Sequence, residues 1–404
     1  MEATPTFAGI DWSWHHHAVC IVDAAGHRIE EVTLAHTRAG LSKITALLSR
    51  HDITRVGIER GDGPVVEHLL RDGFQVVVIS ARQVTSLRSR YGSAGNKDDR
   101  FDAFVLADAL RTDTGRWAIV RPDRDDTIAL RMLVRARHDL INHRIAVHNQ
   151  LLAVLQHNFP GAIGLFSQLD LPISLTFLRR FPSETKAAWL SPSRMANWLK
   201  ANSYPGRQSA ADLTAHLRAA VTGRTTGPAA EAGEVIVLTL VNLLSHLRTQ
   251  QADLETRIKE ALLAHPDGPI FQSLPRAGTV RAATLLAEIG DCRARFPDAQ
   301  ALAAAAGVAP STRQSGKHRT VAYRRGCNKQ LRAALIDWAQ DTPRANTWAH
   351  NTYHRARQRG CRHPHAARIL AQAWTRILWR CWHDHQPYNP DLHGQLNTLR
   401  RQAA

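Results

Sequence analysis

The order of apolar segments in the first 115 residues restricts the fold more than any other feature of this chain. Phe7–Trp12 and Ala18–Val22 are short apolar runs, and Asp23-Ala24-Ala25-Gly26 turns the chain into a third run at His27–Leu34. An amphipathic stretch, Leu41–Ser49, predicts a helix, and Arg55–Ile58 predicts a short buried strand. A helix at Pro64–Arg71, a β-branched strand at Gln75–Ile79 and a helix at Arg82–Arg90 follow. Three meandering strands and then strand–helix–strand units require a mixed sheet with helices on its faces.

That element order is the ribonuclease-H-like (RuvC-like) one, an α/β class. A Gly/Ser segment, Tyr91–Asn96, leads into a further helix expected from about Asp99 to Thr112. The remaining chain reads as mainly α-helical. Leu133, Leu140, Val147 and Val154 recur every seven residues within a helix at Thr127–His157. A second long helix, Glu234–Ala264, carries Val237, Leu240, Leu244, Leu247, Leu254, Ile258 and Leu262 on one face. Helices of this length act as struts, as coiled-coil arms that pair subunits, or as ordinary bundle elements. Phe271–Gly278 followed by Thr279–Ile289 reads as a helix-hairpin-helix, whose turn amides hold a backbone phosphate. Arg276 stands where the first hairpin glycine is usual, and Gly278 is the remaining one. The expected organisation is an α/β domain over 1–115, a helical or coiled-coil connection over 116–265, and a C-terminal domain over 266–404.

Charge separates the two ends. Residues 1–110 hold 12 basic and 14 acidic side chains; residues 270–404 hold 21 and 7. Of the 52 basic residues 45 are arginine, the side chain suited to bidentate phosphate contacts. A polyanion, with nucleic acid the commonest, is the partner this imbalance implies; a solvated basic surface is the alternative. Arg313, Lys317, Arg319, Arg324, Arg325 and Lys329, around the Ser/Thr-bearing segment, are the candidate nucleic-acid contacts. Leu370, Trp374, Leu378 and Trp382 fall four apart, so the Trp-rich tail is read as helical core rather than as base-stacking surface. Five scattered cysteines without a C-x-x-C pair imply neither disulfides nor a cysteine zinc site. No long unbroken apolar run and no secretory signal is evident, so the expectation is a cytoplasmic protein without a membrane partner, nucleoid-associated when bound.

Asp11 ends the first strand and Glu59 follows the fourth, and in a ribonuclease-H-like sheet those strands are neighbours. Asp99 and Asp102 are spaced i, i+3 on the helix that follows. Four converging carboxylates suit a hard cation, Mg²⁺ or Mn²⁺. Two such ions ~3.5–4 Å apart hold both reacting oxygens of a phosphodiester. Removing one acid from such a like-charged cluster is expected to leave stability unchanged or higher. His15, His16 and His17 alternate sides on a strand and cannot share one ion, so they are expected to be solvated or to face nucleic acid.

These motifs resemble a known family. F-A-G-I-D-W at the start, V-G-I-E at 56–59, N-K-D-D-R-F-D-A at 96–103 and R-A-R-H-D-L…H-N-Q-L at 135–151 are similar to the DEDD transposases of the IS one-ten insertion-sequence family. S-L-P-R-A-G-T-V-R-A-A-T-L-L-A-E-I-G-D at 273–291, A-A-A-A-G-V-A-P at 303–310, R-Q-S-G-K at 313–317 and R-R-G-C-N-K-Q-L-R at 324–332 agree independently. The resemblance spans about 7–340. It implies a metal site at Asp11, Glu59, Asp99 and Asp102, and a nucleophilic serine at Ser315, with Ser311 as the local competitor. Asp98, where Thr or Ser is common, leaves Asp98 or Asp99 as the third acid. It further implies a DNA recombinase acting on donor and target duplexes, a noncoding guide RNA in some members, and a dimer to tetramer. The alternatives are a metal-dependent Holliday-junction-type nuclease using water, and a non-catalytic nucleic-acid-binding relic.

Overall fold

The computed structural model describes residues 5–91, 98–113, 115–117, 119–316 and 318–391, without the side chains of Arg313 and Arg319. It divides into two compact units, 1–122 and 123–404.

The first unit contains β1 (Phe7–Trp12), β2 (His16–Val22), β3 (Arg28–Ala35), α1 (Arg38–Arg50), β4 (Arg55–Ile58), α2 (Pro64–Arg71), β5 (Gln75–Val78), α3 (Ala81–Arg88) and α4 (Asp99–Thr112). The sheet order is β3-β2-β1-β4-β5. β1, β2 and β3 pair antiparallel, whereas β1–β4 and β4–β5 are parallel. The expected mixed sheet is thus observed. Alternation along each strand sorts its side chains to two apolar cores. Ile10, Val19, Ile21 and Ile58 pack with Ile44 and Leu48 of α1 and Val65 and Leu69 of α2. On the other face, α4 packs Val105, Leu106 and Leu110 on Val77 and Ile79, and Ala103 and Ala107 on Ala18 and Cys20. Val120 N–H donates to the Val76 carbonyl (2.7 Å), which extends this unit past residue 115.

The second unit begins with α5 (Asp125–Asn158), α6 (Pro172–Arg180), α7 (Glu184–Ala187), α8 (Pro192–Ala201), α9 (Ala210–Ala219) and α10 (Pro228–Ala264). It continues with α11 (Gly268–Gln272), α12 (Gly278–Ile289), α13 (Ala299–Ala305), β6 (Ser311–Ser315), β7 (His318–Ala322), α14 (Lys329–Asp341), α15 (Thr347–Gln358) and α16 (His363–His383). The long helices α5 and α10 pack on each other within one chain. Val147, Leu151 and Leu155 meet Val237, Val241 and Leu244 in one core. Leu130 and Val134 join Ile258 and Leu262 in another, so the pair runs antiparallel. Between the cores the contact is polar: Arg137 Nε donates to Glu255 Oε1 (2.8 Å), and Gln251 donates to the same oxygen (2.9 Å). By length and composition α10 is apolar enough to cross a membrane, with a window mean hydropathy of 1.3. Its Val237, Val241, Leu244 and Ile258 are fully buried within the protein, whereas Val235, Ile236 and Leu243 are exposed, and 28 % of that apolar stretch is buried.

Trp338, Trp374 and Trp382 are fully buried, as expected of a helical core. Their indole N–H groups donate to Pro275 O (2.9 Å), Thr342 Oγ1 (2.8 Å) and Gly290 O (2.8 Å). Burial of these three rings therefore leaves none of their indole donors unsatisfied, whereas the buried Trp12 N–H of the first unit has no hydrogen-bond partner.

Candidate active site

Two glycines determine how closely α4 lies on the sheet. A Cβ at Gly9 would stand 2.2 Å from the Ala103 carbonyl oxygen, and one at Gly57 would stand 2.9 Å from that of Leu106. Only glycine permits such an approach. The direction of α4 follows from its two ends. Arg111 Nη1 donates to Ala24 O (3.1 Å), beside the start of β1, whereas His16 Nε2, just beyond its end, donates to Asp99 Oδ2 (3.2 Å). The first turn of α4 therefore lies at the C-terminal end of β1.

Register then brings the four acids to one end of the sheet. Ile10 pairs with Ile58, and Asp11 and Glu59 are each one residue further along adjacent parallel strands. Asp11 shares the strand face of Gly9, the face that α4 covers. Asp99 and Asp102 occupy the first turn of α4. Asp98 is its N-cap: its carboxylate accepts from Arg100 N–H (3.3 Å), which leaves Asp99 as the acid inside the helix. Asp102 is 2 % exposed, and both its oxygens accept from Arg88 of α3, Nε and Nη2 each at 2.5 Å.

This donor set, all carboxylate oxygen, fits Mg²⁺ or Mn²⁺ by its chemistry. As placed, two of the four carboxylates are partnered by the protein itself, Asp102 by the Arg88 guanidinium and Asp99 by the His16 ring N–H. Among the described residues no three acidic, histidine or cysteine groups lie close enough to hold one ion.

The serine lies in the other unit. β6 and β7 form an antiparallel hairpin in which Ser315 pairs with His318 across Gly316-Lys317. Gly316 has φ +54°, the left-handed value that a two-residue hairpin turn needs. Ser315 is exposed beside that turn, whereas Ser311 is half-buried at the hairpin base. Arg325 and Lys329 are exposed, and Arg324 is half-buried with Nε donating to Ala309 O (3.4 Å). Lys317 and the side chains of Arg313 and Arg319 lie outside the described residues. At the expected helix hairpin, α11 and α12 flank a turn in which Arg276 (φ +60°) and Gly278 (φ +59°) are both left-handed. Arg276 is held there by Asp341, with Nη2–Oδ2 at 3.1 Å.

Residues 8–160 match the transposase family DEDD_Tnp_IS110, and residues 268–355 match the family described as Transposase IS116/IS110/IS902. The chain is 31 % identical over 401 residues to the "Mini-circle putative transposase for IS117" of Streptomyces coelicolor, covering 96 % of each. It is 26 % identical to an "Insertion element IS116 uncharacterized 44.8 kDa protein" of Streptomyces clavuligerus, over 95 % of this chain and 96 % of the relative. It is 34 % identical to "Putative transposase y4uE" of Sinorhizobium fredii, over 48 % of this chain and 56 % of that one. The chain belongs to the IS110 family of transposases. It is thus an insertion-sequence transposase, of an enzyme class that cuts and rejoins DNA. The four acids fall in the first matched segment and Ser315 in the second.

The histidine reading needs correction. His17 of the transposase is fully buried, not solvated, and its Nε2 shares a hydrogen with His36 Nδ1 (2.9 Å). Burial, with the neighbouring His36 and His16, lowers its pKa to about 4. Alternation along β2 places His17 on the same face as Val19 and Ile21, a signal present in the sequence. Arg88 and His16, which partner two of the acids, are absent from the sequence-based site; neither belongs to a motif.

Proposed function

We propose that this transposase cuts DNA by attack of the Ser315 hydroxyl on a scissile phosphate, with Asp11, Glu59, Asp99 and Asp102 as holders of Mg²⁺ or Mn²⁺. What supports the reading is that Asp11 and Glu59 end adjacent parallel strands with Asp99 and Asp102 in the first turn of the helix over that end, together with a serine exposed at a hairpin turn inside the second matched segment. When bound, the divalent ions supply positive charge for the phosphoryl oxygens. Ser315 Oγ forms the new bond to phosphorus, the bond to a deoxyribose oxygen breaks, and that oxygen leaves with the proton. The resulting phosphoserine ester keeps the energy of the phosphodiester, so the reverse attack rejoins strands without ATP. Arg324 and Arg325 favour the extra charge of the transition state. The acids and the serine belong to separate units, so the reaction requires the two to meet on DNA, within one subunit or between subunits of a dimer or tetramer. A noncoding guide RNA is the further partner in this reading, and the basic C-terminal half favours it.

The test is a suicide DNA substrate incubated with the transposase, Mn²⁺ and flanking noncoding RNA, followed by denaturing electrophoresis. A protein–DNA adduct forms with the wild type and with Ser311→Ala, and is absent from Ser315→Ala. Cleavage by Ser315→Ala without an adduct would replace this reading by a water-using nuclease.

A further inference from the structure

The arginines of the second unit fall into two classes. Arg281, Arg293, Arg295, Arg344 and Arg380 are each paired to an aspartate. Among the described residues, Arg332, Arg359, Arg362 and Arg368 meet no carboxylate. An arginine paired inside its own protein stabilises the fold; one without a carboxylate remains available to a phosphate.

Other described arginines of this unit, Arg194, Arg248, Arg257 and Arg376 among them, also meet no carboxylate, but these four line or adjoin two neighbouring clefts. A cleft beside Val308 and the β7 residues Val321 and Ala322 is lined by Tyr323, His365 and Arg368. A second cleft at the α15–α16 turn is lined by Arg359, Arg362, His365 and Arg368. The two share His365 and Arg368 and therefore adjoin, and we treat them as one groove; none of its described lining residues is acidic. Beside the first cleft the Tyr323 ring has the Arg332 and Arg368 guanidinium carbons each 4.7 Å from its centre. Tyr323 is 43 % exposed and Val321 is 61 % exposed, large side chains that the fold leaves uncovered. An exposed tyrosine beside guanidinium groups without carboxylate partners is a combination that holds unstacked bases and their phosphates.

We propose that this groove seats a single DNA strand and delivers it along the β6–β7 hairpin to Ser315. The hairpin itself forms one wall. From Ser311 at its base to Ser315 at its turn is about 14 Å of extended chain, the length of about four stacked nucleotides. A duplex does not expose base faces to Tyr323, so the platform selects unpaired segments, such as those produced when strands are exchanged. That DNA is the occupant rests on the Ser315 reading; the preference for an unpaired strand rests on the groove alone.

The experiment is fluorescence anisotropy of the full chain with a labelled 20-nucleotide DNA strand, its duplex, and an RNA strand of the same sequence. Tyr323→Ala weakens single-strand DNA binding about tenfold, since each stacked base contributes ~1–3 kcal/mol. Tyr323→Leu gives the same loss, Tyr323→Phe binds as wild type, and duplex affinity changes little. Arg362→Gln/Arg368→Gln lowers the slope of log affinity against log salt by about 1.4, two phosphates' worth for a single strand. Ser315→Ala binds the strand normally. Failure to form an adduct would therefore overturn the serine and leave the groove standing. Unchanged DNA-strand affinity in folded Tyr323→Ala and Arg362→Gln/Arg368→Gln overturns the proposal. If only the RNA strand is weakened, the groove is an RNA site instead.

Discussion

Arg88 clasps Asp102 with two hydrogen bonds of 2.5 Å, fourteen residues apart in sequence and joined only by the packing of α3 on α4. Asp102 is 3 % exposed at its side chain and Arg88 21 %. One acid of the proposed metal site is thus already neutralised within the protein.

This pairing revises the expectation that removing any of the four acids leaves stability unchanged or higher. Asp102→Ala is expected to abolish strand cleavage and also to destabilise the first unit by about 1–3 kcal/mol, because Arg88 loses its partner. Arg88→Ala strands a buried carboxylate and is expected to cost about 3 kcal/mol. Mn²⁺ should raise the melting temperature of Arg88→Ala more than that of wild type. A higher melting temperature for Asp102→Ala than for wild type contradicts the account.

His17 makes stability depend on pH. Its folded pKa is about 4, against 6.5 for the free side chain, because burial and the neighbouring histidines oppose its charge. Between these values the unfolded chain binds more protons, so stability rises with pH. The contribution is complete above 6.5, falls away as pH drops toward 4, and amounts to about 3 kcal/mol. Urea midpoints measured from pH 4 to 7 should fall more steeply with acid for wild type than for His17→Gln.

Glu288 tests the arginines that hold the second unit. Burial raises its pKa, but hydrogen bonds from Arg135 and Asn328 outweigh that and hold the carboxyl below its usual range. Its side chain is 1 % exposed, with both oxygens 2.8 Å from Arg135 nitrogens. Arg135→Ala is expected to cost about 3 kcal/mol, and Arg135→Ala/Glu288→Gln to recover part of it. Denaturant midpoints at constant slope measure both.

Arg276 adopts φ +60° without being glycine. Such backbone costs about 1–2 kcal/mol, and the half-exposed ion pair to Asp341 offsets about 0–1 kcal/mol of it. Arg276→Gly should hold or raise the melting temperature, whereas Arg276→Ala, which keeps the strain and loses the pair, should lower it. Equal effects would show that the turn is not strained.

Patterning made the first unit legible. Strand alternation and the Asp23–Gly26 turn imply the β1–β4 neighbourhood, and with it the shared position of Asp11 and Glu59. The β6–β7 hairpin was not legible, because S-T-R-Q-S and H-R-T-V-A have no buried face to impose period two. Only Gly316 marks its turn. Arg88 was equally hidden, since nothing local to an arginine on a short helix says which carboxylate it will meet. The helix lengths of α5 and α10 were readable from their apolar rows. Their pairing with each other depends on how the intervening helices return the chain.

The two cores along the α5–α10 pair close at different moments of synthesis. One draws on residues 147–247 and is complete as soon as α10 has emerged. The other joins Leu130 to Trp382 and must wait for nearly the whole chain, as must the groove wall supplied by α16. A truncated polypeptide therefore carries Asp11, Glu59, Asp99 and Asp102 without a closed second core, and is expected to lack the proposed strand groove as well.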